Sequence, residues 1–170
     1  MPRFGPDTAT CEVFTFREGV LAGVGHDLKL RVERFEIDAD RTKVTARFDP
    51  ASLRVVAAMR AGKEDPRALS DRDRAEIERN ATREVLEANR YPEISFVSSE
   101  VLGGRVRGTL KLHGRESSGE FPFEESGGRC IASIDLDMRR FGIRPYSAML
   151  GALRVAPMVR VVVTTRSPDV

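Results

Sequence analysis

Two histidines and two cysteines are the side chains of this 170-residue chain best suited to nucleophilic or metal chemistry. His26 stands beside Asp27 in the stretch LAGVGHDLKLRV. An imidazole with a carboxylate neighbour is a pairing that general acid–base catalysis uses. The local alternative is a turn in which Gly23 and Gly25 free the backbone and the His26 and Asp27 side chains bond turn amides. His113 precedes Gly114 at a strand end, where a turn explains it. The histidines lie 87 positions apart with no H-x-H or H-x-x-x-H spacing, so no metal site is assigned. Cys11 and Cys130 match no zinc pattern and read as reduced core thiols. There is no G-x-S-x-G, and AGVGHD leads into a strand rather than a phosphate-binding helix. No catalytic residue, metal or cofactor is therefore expected.

The elements that would position these side chains are mostly strands. Val44, Ala46 and Phe48 alternate with Lys43, Thr45 and Arg47. Val106, Gly108, Leu110 and Leu112 oppose Arg105, Arg107, Thr109 and Lys111. Cys130, Ala132, Ile134 and Leu136 oppose Ser133, Asp135 and Asp137, and Val159, Val161 and Val163 oppose Met158, Arg160, Val162 and Thr164. Such one-sided strands indicate an antiparallel sheet with one wet face. Further strands are expected at Ala9–Phe16, Leu28–Ile37, Ile94–Leu102 and Gly119–Glu124. The apolar phase slips between Val32 and Phe35, which predicts a bulge or sharp bend. Gly103-Gly104 and Gly127-Gly128 read as hairpin turns. Eight short-linked strands predict a mainly β fold, an antiparallel eight-stranded barrel, and the length suits a single domain over 1–170.

One segment breaks the alternation. From about 70 to 89, Ile77, Ala81 and Val85 recur every four residues, with Leu86 beside them. Ser70 three residues before Asp73 predicts a capping box. A helix of about four turns is expected, with its narrow stripe on a barrel end or flank.

Composition removes several classes. A net charge of +2 does not argue for nucleic acid or an anionic membrane surface, and no Trp and two Tyr leave little for bases to stack on. No apolar run approaches the roughly 20 residues of a membrane helix. The first residues lack the apolar segment of a secretory signal, so a cytoplasmic protein is expected.

An eight-stranded barrel either fills itself or holds one small ligand. On the inward phase, the small residues Ala46, Gly108, Cys130 and Ala132 mix with Phe14, Phe16, Phe48 and Phe96. That leaves room for an elongated apolar guest, or packs into a solid core. The expected lining is Phe14, Phe16, Val44, Ala46, Phe48, Phe96, Leu110, Leu112, Cys130, Ala132, Ile134, Leu136, Val161 and Val163, with His26 facing its mouth. Three readings stand: a carrier of an apolar molecule, a filled barrel serving as a structural or interaction module, and an enzyme using His26 and Asp27. A homodimer through the mildly apolar stretch Ser147–Ala152 is a further expectation.

Four stretches in order, GVLAGVGHDLKL, VLEANRYPEISFVSSEV, VRGTLKLHG and MRRFGIRPYSAMLGALRV, resemble the YceI-like family of bacterial lipocalin-like proteins. The resemblance runs from about Thr8 to Thr165. It implies a lipocalin-like barrel with a helix at its side, enclosing a tunnel for an isoprenoid chain, a fatty acid or its amide. It implies no catalytic residues. The chain departs from many members in running on from Gly114 as Arg115-Glu116-Ser117-Ser118. It also departs in carrying Arg139-Arg140 before Phe141. Those arginines either meet an anionic head group at the tunnel mouth or are solvated surface charges.

Overall fold

The computed structural model describes residues 1–19, 25–148 and 153–167. Gly23, and most of Ser147–Ala152 with its expected dimer edge, lie outside the described residues. The strands are β1 (Arg3–Phe4), β2 (Ala9–Thr15), β3 (Arg17–Glu18), β4 (Asp27–Val32), β5 (Phe35–Ala39), β6 (Val44–Phe48), β7 (Leu53–Arg60) and β8 (Lys63–Asp65). They continue as β9 (Ile94–Leu102), β10 (Arg105–Leu112), β11 (Arg115–Ser126), β12 (Arg129–Asp137), β13 (Ser147–Ala148), β14 (Leu153–Val155) and β15 (Met158–Arg166). One helix, α1 (Asp71–Arg79), lies between β8 and β9.

Twelve strands form one antiparallel sheet in the order β1-β5-β6-β9-β10-β11-β12-β15-β2-β4-β7-β8, and β13, β14 and β3 form a small second sheet. The expected eight-stranded closed barrel is thus corrected. The large sheet ends at β1 and β8, and its hydrogen bonds do not close. Two features hid this from the sequence. β7 carries the unbroken apolar run Val55–Met59, with the successive residues Ala57 and Ala58 both buried, so its sequence shows no clean alternation. And the expected strand Leu28–Ile37 is two strands, β4 and β5, which sit towards opposite ends of the sheet.

The break between them is the bend that the phase slip predicts. Ser52, 1% exposed, holds it. Its hydroxyl accepts the N–H groups of Glu33 and Arg34 at 3.2 and 2.9 Å and donates to the Asp49 carbonyl at 2.7 Å. Arg34 also pairs with Asp49 at 2.8 Å. The chain turns a second corner here, from β6 through a 3-10 turn at Pro50–Ser52 into β7. These two corners carry the chain between the halves of the sheet where no strand pairing does.

The two Gly-Gly turns are hairpins with positive φ at both residues, the mirror-image turn that suits strand twist. A third is His113-Gly114, with φ of 54° and 73°, joining β10 to β11. The helix begins as read, with Ser70 and Asp73 exchanging both capping-box hydrogen bonds at 3.0 and 3.1 Å. It does not run on as α-helix to 89. Asn80–Val85 widen into a π turn, in which the Leu86 N–H bonds the Ala81 carbonyl. Thr82 contributes to that widening by turning its hydroxyl back onto the Glu78 carbonyl at 2.8 Å.

Candidate functional site: an apolar cavity inside the rolled sheet

A cavity of about 1020 Å³ lies inside the sheet. Its wall takes residues from both halves of the sheet and from the helix, so the sheet is rolled around it although its hydrogen bonds stay open. On β12 the wall runs from Cys130 to Leu136, about 20 Å at the usual strand rise. The interior is therefore not the filled barrel that the sequence left open.

The wall is built from alternation. β6 contributes Val44, Ala46 and Phe48; β9 Phe96; β10 Leu110 and Leu112. β12 contributes Cys130, Ala132, Ile134 and Leu136, and β15 Val161 and Val163. Register explains why these meet: Ala132 lies opposite Val163, Ile134 opposite Val161, and Ala46 opposite Phe96. Gly108 is part of the same design. A Cβ there would collide with the Val97 carbonyl and meet the Phe96 ring tip at 2.6 Å. Its absence lets Phe96 lie across β10 and tilt against Phe121 at 5.3 Å.

Three expected lining residues are not on this wall. On β2 the inward residues are Cys11, Val13 and Thr15. Phe14 points outward, with the Lys29 ammonium 5.9 Å from its ring centre, and Phe16 is exposed. The deciding signal was Glu12, which shares the phase of Phe14 and pairs outside with Lys29 at 3.0 Å. Choosing the bulkier apolar phase flipped this strand. His26 is exposed and is not a wall residue. Asp27 is not bonded to it; its carboxylate accepts the Arg17 N–H at 2.9 Å, while the Arg17 side chain donates to the Gly25 carbonyl. The His-Asp pair is thus undone by a strand-to-strand tie.

The sequence reading also left residues out. Leu28, Leu30 and Val32 of β4, Ile37 and Ala39 of β5, and Phe121 and Phe123 of β11 all reach the wall. So do Ile77, Ala81 and Val85, the stripe of the helix, none of which is buried. Ile77 and Ala81 pack against the buried cluster of Cys11, Leu30, Val32, Leu53 and Val55, and polar contacts also fasten the helix to the edge of β7: Glu78 accepts the Val55 N–H at 3.0 Å, and Arg74 donates to the Val56 carbonyl at 2.8 Å.

Electrostatics follow burial. The Cys11 thiol is pushed up to about 12, mainly by desolvation and secondarily by Glu12. Cys130 is raised by partial burial and then by Glu125. At one end of the wall, Asp135 is held below the usual carboxylate range by the hydrogen bond from Arg160, and Asp137 by that from Arg139. Among the described residues, no cluster of His, Cys, Asp and Glu is arranged to hold a metal, and no helix is long and apolar enough to cross a membrane.

The description YceI-like domain matches residues 7–166 of the chain. Among solved structures, Burkholderia cenocepacia BcnA is similar over 92% of this chain and 94% of its own, at 14% identity and a TM-score of 0.58. A polyisoprenoid binding domain from Saccharophagus degradans is similar over 98% and 97%, at 11% identity and 0.58. The Campylobacter jejuni YCEI protein is similar over 82% and 84%, at 10% identity and 0.54. At these identities the likeness is one of fold. No curated protein sequence matches.

Proposed function

The chain belongs to the YceI-like family, and from that premise we propose that it binds and carries one elongated apolar molecule, of isoprenoid or fatty-acyl type, in the cavity. The observation that carries this reading is the cavity itself: about 1020 Å³, walled by aliphatic and phenylalanine side chains along the length of the strands. Drug-sized ligands occupy pockets of about 300–1,000 Å³, so the volume suits a long chain. Each CH₂ taken out of water contributes about 0.8 kcal/mol, so ten give useful affinity after the cost of ordering the guest. The similar domain from Saccharophagus degradans is described as polyisoprenoid binding, which supports the isoprenoid class. Binding rather than catalysis is the role proposed, since His26 and Asp27 are not bonded to each other and neither reaches the wall.

Native mass spectrometry of protein purified without detergent, followed by organic extraction, tests this. An added mass that extracts as an isoprenoid or fatty-acyl compound is expected. Ala132→Phe, which projects a ring into the cavity between Val163 and Phe123, is expected to reduce that occupancy. A bare mass with no uptake of offered lipids would reject the proposal.

A further inference from the structure

The cavity is apolar along its middle and charged at its ends, and the two ends differ. At the end where β12 runs into the 3-10 turn Met138–Phe141, the wall includes Asp135, Asp137 and Arg140. The two acids there are already engaged. Asp135 takes the Arg160 guanidinium at 2.8 Å. Asp137 accepts the Arg139 N–H at 3.0 Å and holds the Arg139 side chain through both carboxylate oxygens at 2.9 Å. Phe141 and Ile143, both 2% exposed, anchor the backbone of the turn that carries the exposed Arg140. Arg140 itself makes no ion pair within 4 Å among the described residues, although its charge helps to hold Asp137 low.

The opposite end has the other sign. There the wall includes Phe123, Glu125, Cys130 and Thr165. Glu125 pairs with no cation among the described residues. Of the other charges on the wall, Asp40 is used by Thr42 and Lys43, Glu120 by Arg105 and Arg107, and Arg41 is engaged. A cation without a close ion pair at one end and an anion without one at the other, among the described residues, would orient an amphiphile.

Building on the carrier reading, we propose that the ligand carries an anionic head, a carboxylate or a phosphate monoester, seated on Arg140, with its apolar tail running along β12 towards Cys130. A guanidinium suits either head, because its fixed fork of donors matches two oxygens at once. Glu125 at the far end opposes the reverse insertion by placing like charge beside the head.

The test uses delipidated full-length protein and three probes of equal chain length: palmitate, hexadecyl phosphate and 1-hexadecanol, with affinities from titration calorimetry. Palmitate or hexadecyl phosphate is expected to bind about tenfold more tightly than hexadecanol, the worth of one charge-assisted hydrogen bond at a partly solvated site. Whichever anion leads names the head class. In Arg140→Gln that ratio is expected to fall towards one, whereas Arg144→Gln, which removes an equal charge four residues on, keeps it. Palmitate is expected to slow alkylation of Cys130, and octanoate, whose tail is too short to reach it, is not. An unchanged ratio in Arg140→Gln, or equal binding of anion and alcohol by the native protein, overturns the head-group assignment and leaves the carrier reading in place. Palmitate that binds without protecting Cys130 overturns the orientation. If none of the three probes binds, the carrier reading fails and this inference falls with it.

Discussion

The corner built from β2, β4, β7 and the helix and the wall built from β12 and β15 are made of the same kinds of residue and end in different states. At the corner, Cys11 and Leu30 are 2% exposed, and Val32, Leu53 and Val55 are also buried, with Leu69, Ile77 and Leu86 packed over them. On the wall, Ala132, Ile134, Leu136, Val161 and Val163 face inward with equal regularity but remain only half-buried. What differs is the cover. Both regions contribute to the lining of the cavity, but the corner also has two bends and a helix packed over it, while the β12 and β15 side chains have less cover. An inward apolar face is therefore not the same thing as a core, and the part left uncovered is where a guest would gain most from burial.

The largest expected effect separates the two regions by their thiols. At pH 8 a maleimide should modify Cys130, while Cys11, buried and with its thiol pushed up to about 12, reacts at least about 100-fold more slowly. Mass mapping of the two sites after timed labelling decides this, and equal rates would remove the distinction between corner and wall. Next in size is truncation. Leu30→Ala in the packed corner should cost about 2–5 kcal/mol in urea unfolding. Ile134→Ala on the open wall should cost less than about 1.5 kcal/mol, because part of its side chain has no packed neighbour to lose. Similar losses at both positions would mean the cavity closes up in solution. Ser52→Ala sharpens the same contrast from the polar side. It strands the N–H group of Arg34, while that of Glu33 keeps the Ser52 carbonyl at 3.2 Å, and should cost about 1–3 kcal/mol, whereas Ser133→Ala, on the exposed face of β12, should stay within about 0.5 kcal/mol.

How much of this could be read in advance depended on whether each strand had one wet face. β6, β10, β12 and β15 do, and their inward phase is legible from residue types alone. β7 does not: its run Val55-Val56-Ala57-Ala58 is apolar at every position, and the successive residues Ala57 and Ala58 are both buried, so it carries no alternation to read. β2 offered two apolar phases, and only the charge of Glu12 distinguishes them; that charge outweighs the bulk of Phe14 because it must reach Lys29 outside. The bend after Val32 announced itself as a phase slip. The open ends of the sheet did not, since closure depends on which strands lie side by side after two corners, and no local pattern encodes that. The helix stops short of its expected extent for a local reason: the Thr82 hydroxyl competes for a backbone carbonyl that an α-helix needs.

The smallest effect concerns the two histidines, whose apparent roles exchange between sequence and structure. His26 drew attention through its aspartate and is exposed, without a hydrogen bond among the described residues. His113 read as a turn residue and is one, but its ring is also held. Nε2 lies 2.6 Å from a Glu87 carboxylate oxygen, Nδ1 lies 3.3 Å from the Phe141 carbonyl, and Tyr91 packs against it at 4.3 Å. Both His113 and Glu87 sit at positive φ, 54° and 48°, a conformation that non-glycine residues adopt only when their surroundings hold them there. The contact ties the end of the helical segment to the β10–β11 hairpin, beside the buried Phe141 that anchors the turn carrying Arg140. His113→Asn keeps a side chain that tolerates the left-handed turn but loses the reach to Glu87, and should cost about 1 kcal/mol. His113→Ala loses both and should cost more, while His26→Ala should stay within about 0.5 kcal/mol. A double-mutant cycle with Glu87→Gln, followed by urea unfolding, isolates the pair. A coupling near zero would reduce His113 to a turn residue after all, and equal losses at His26 and His113 would mean that burial had misjudged them both.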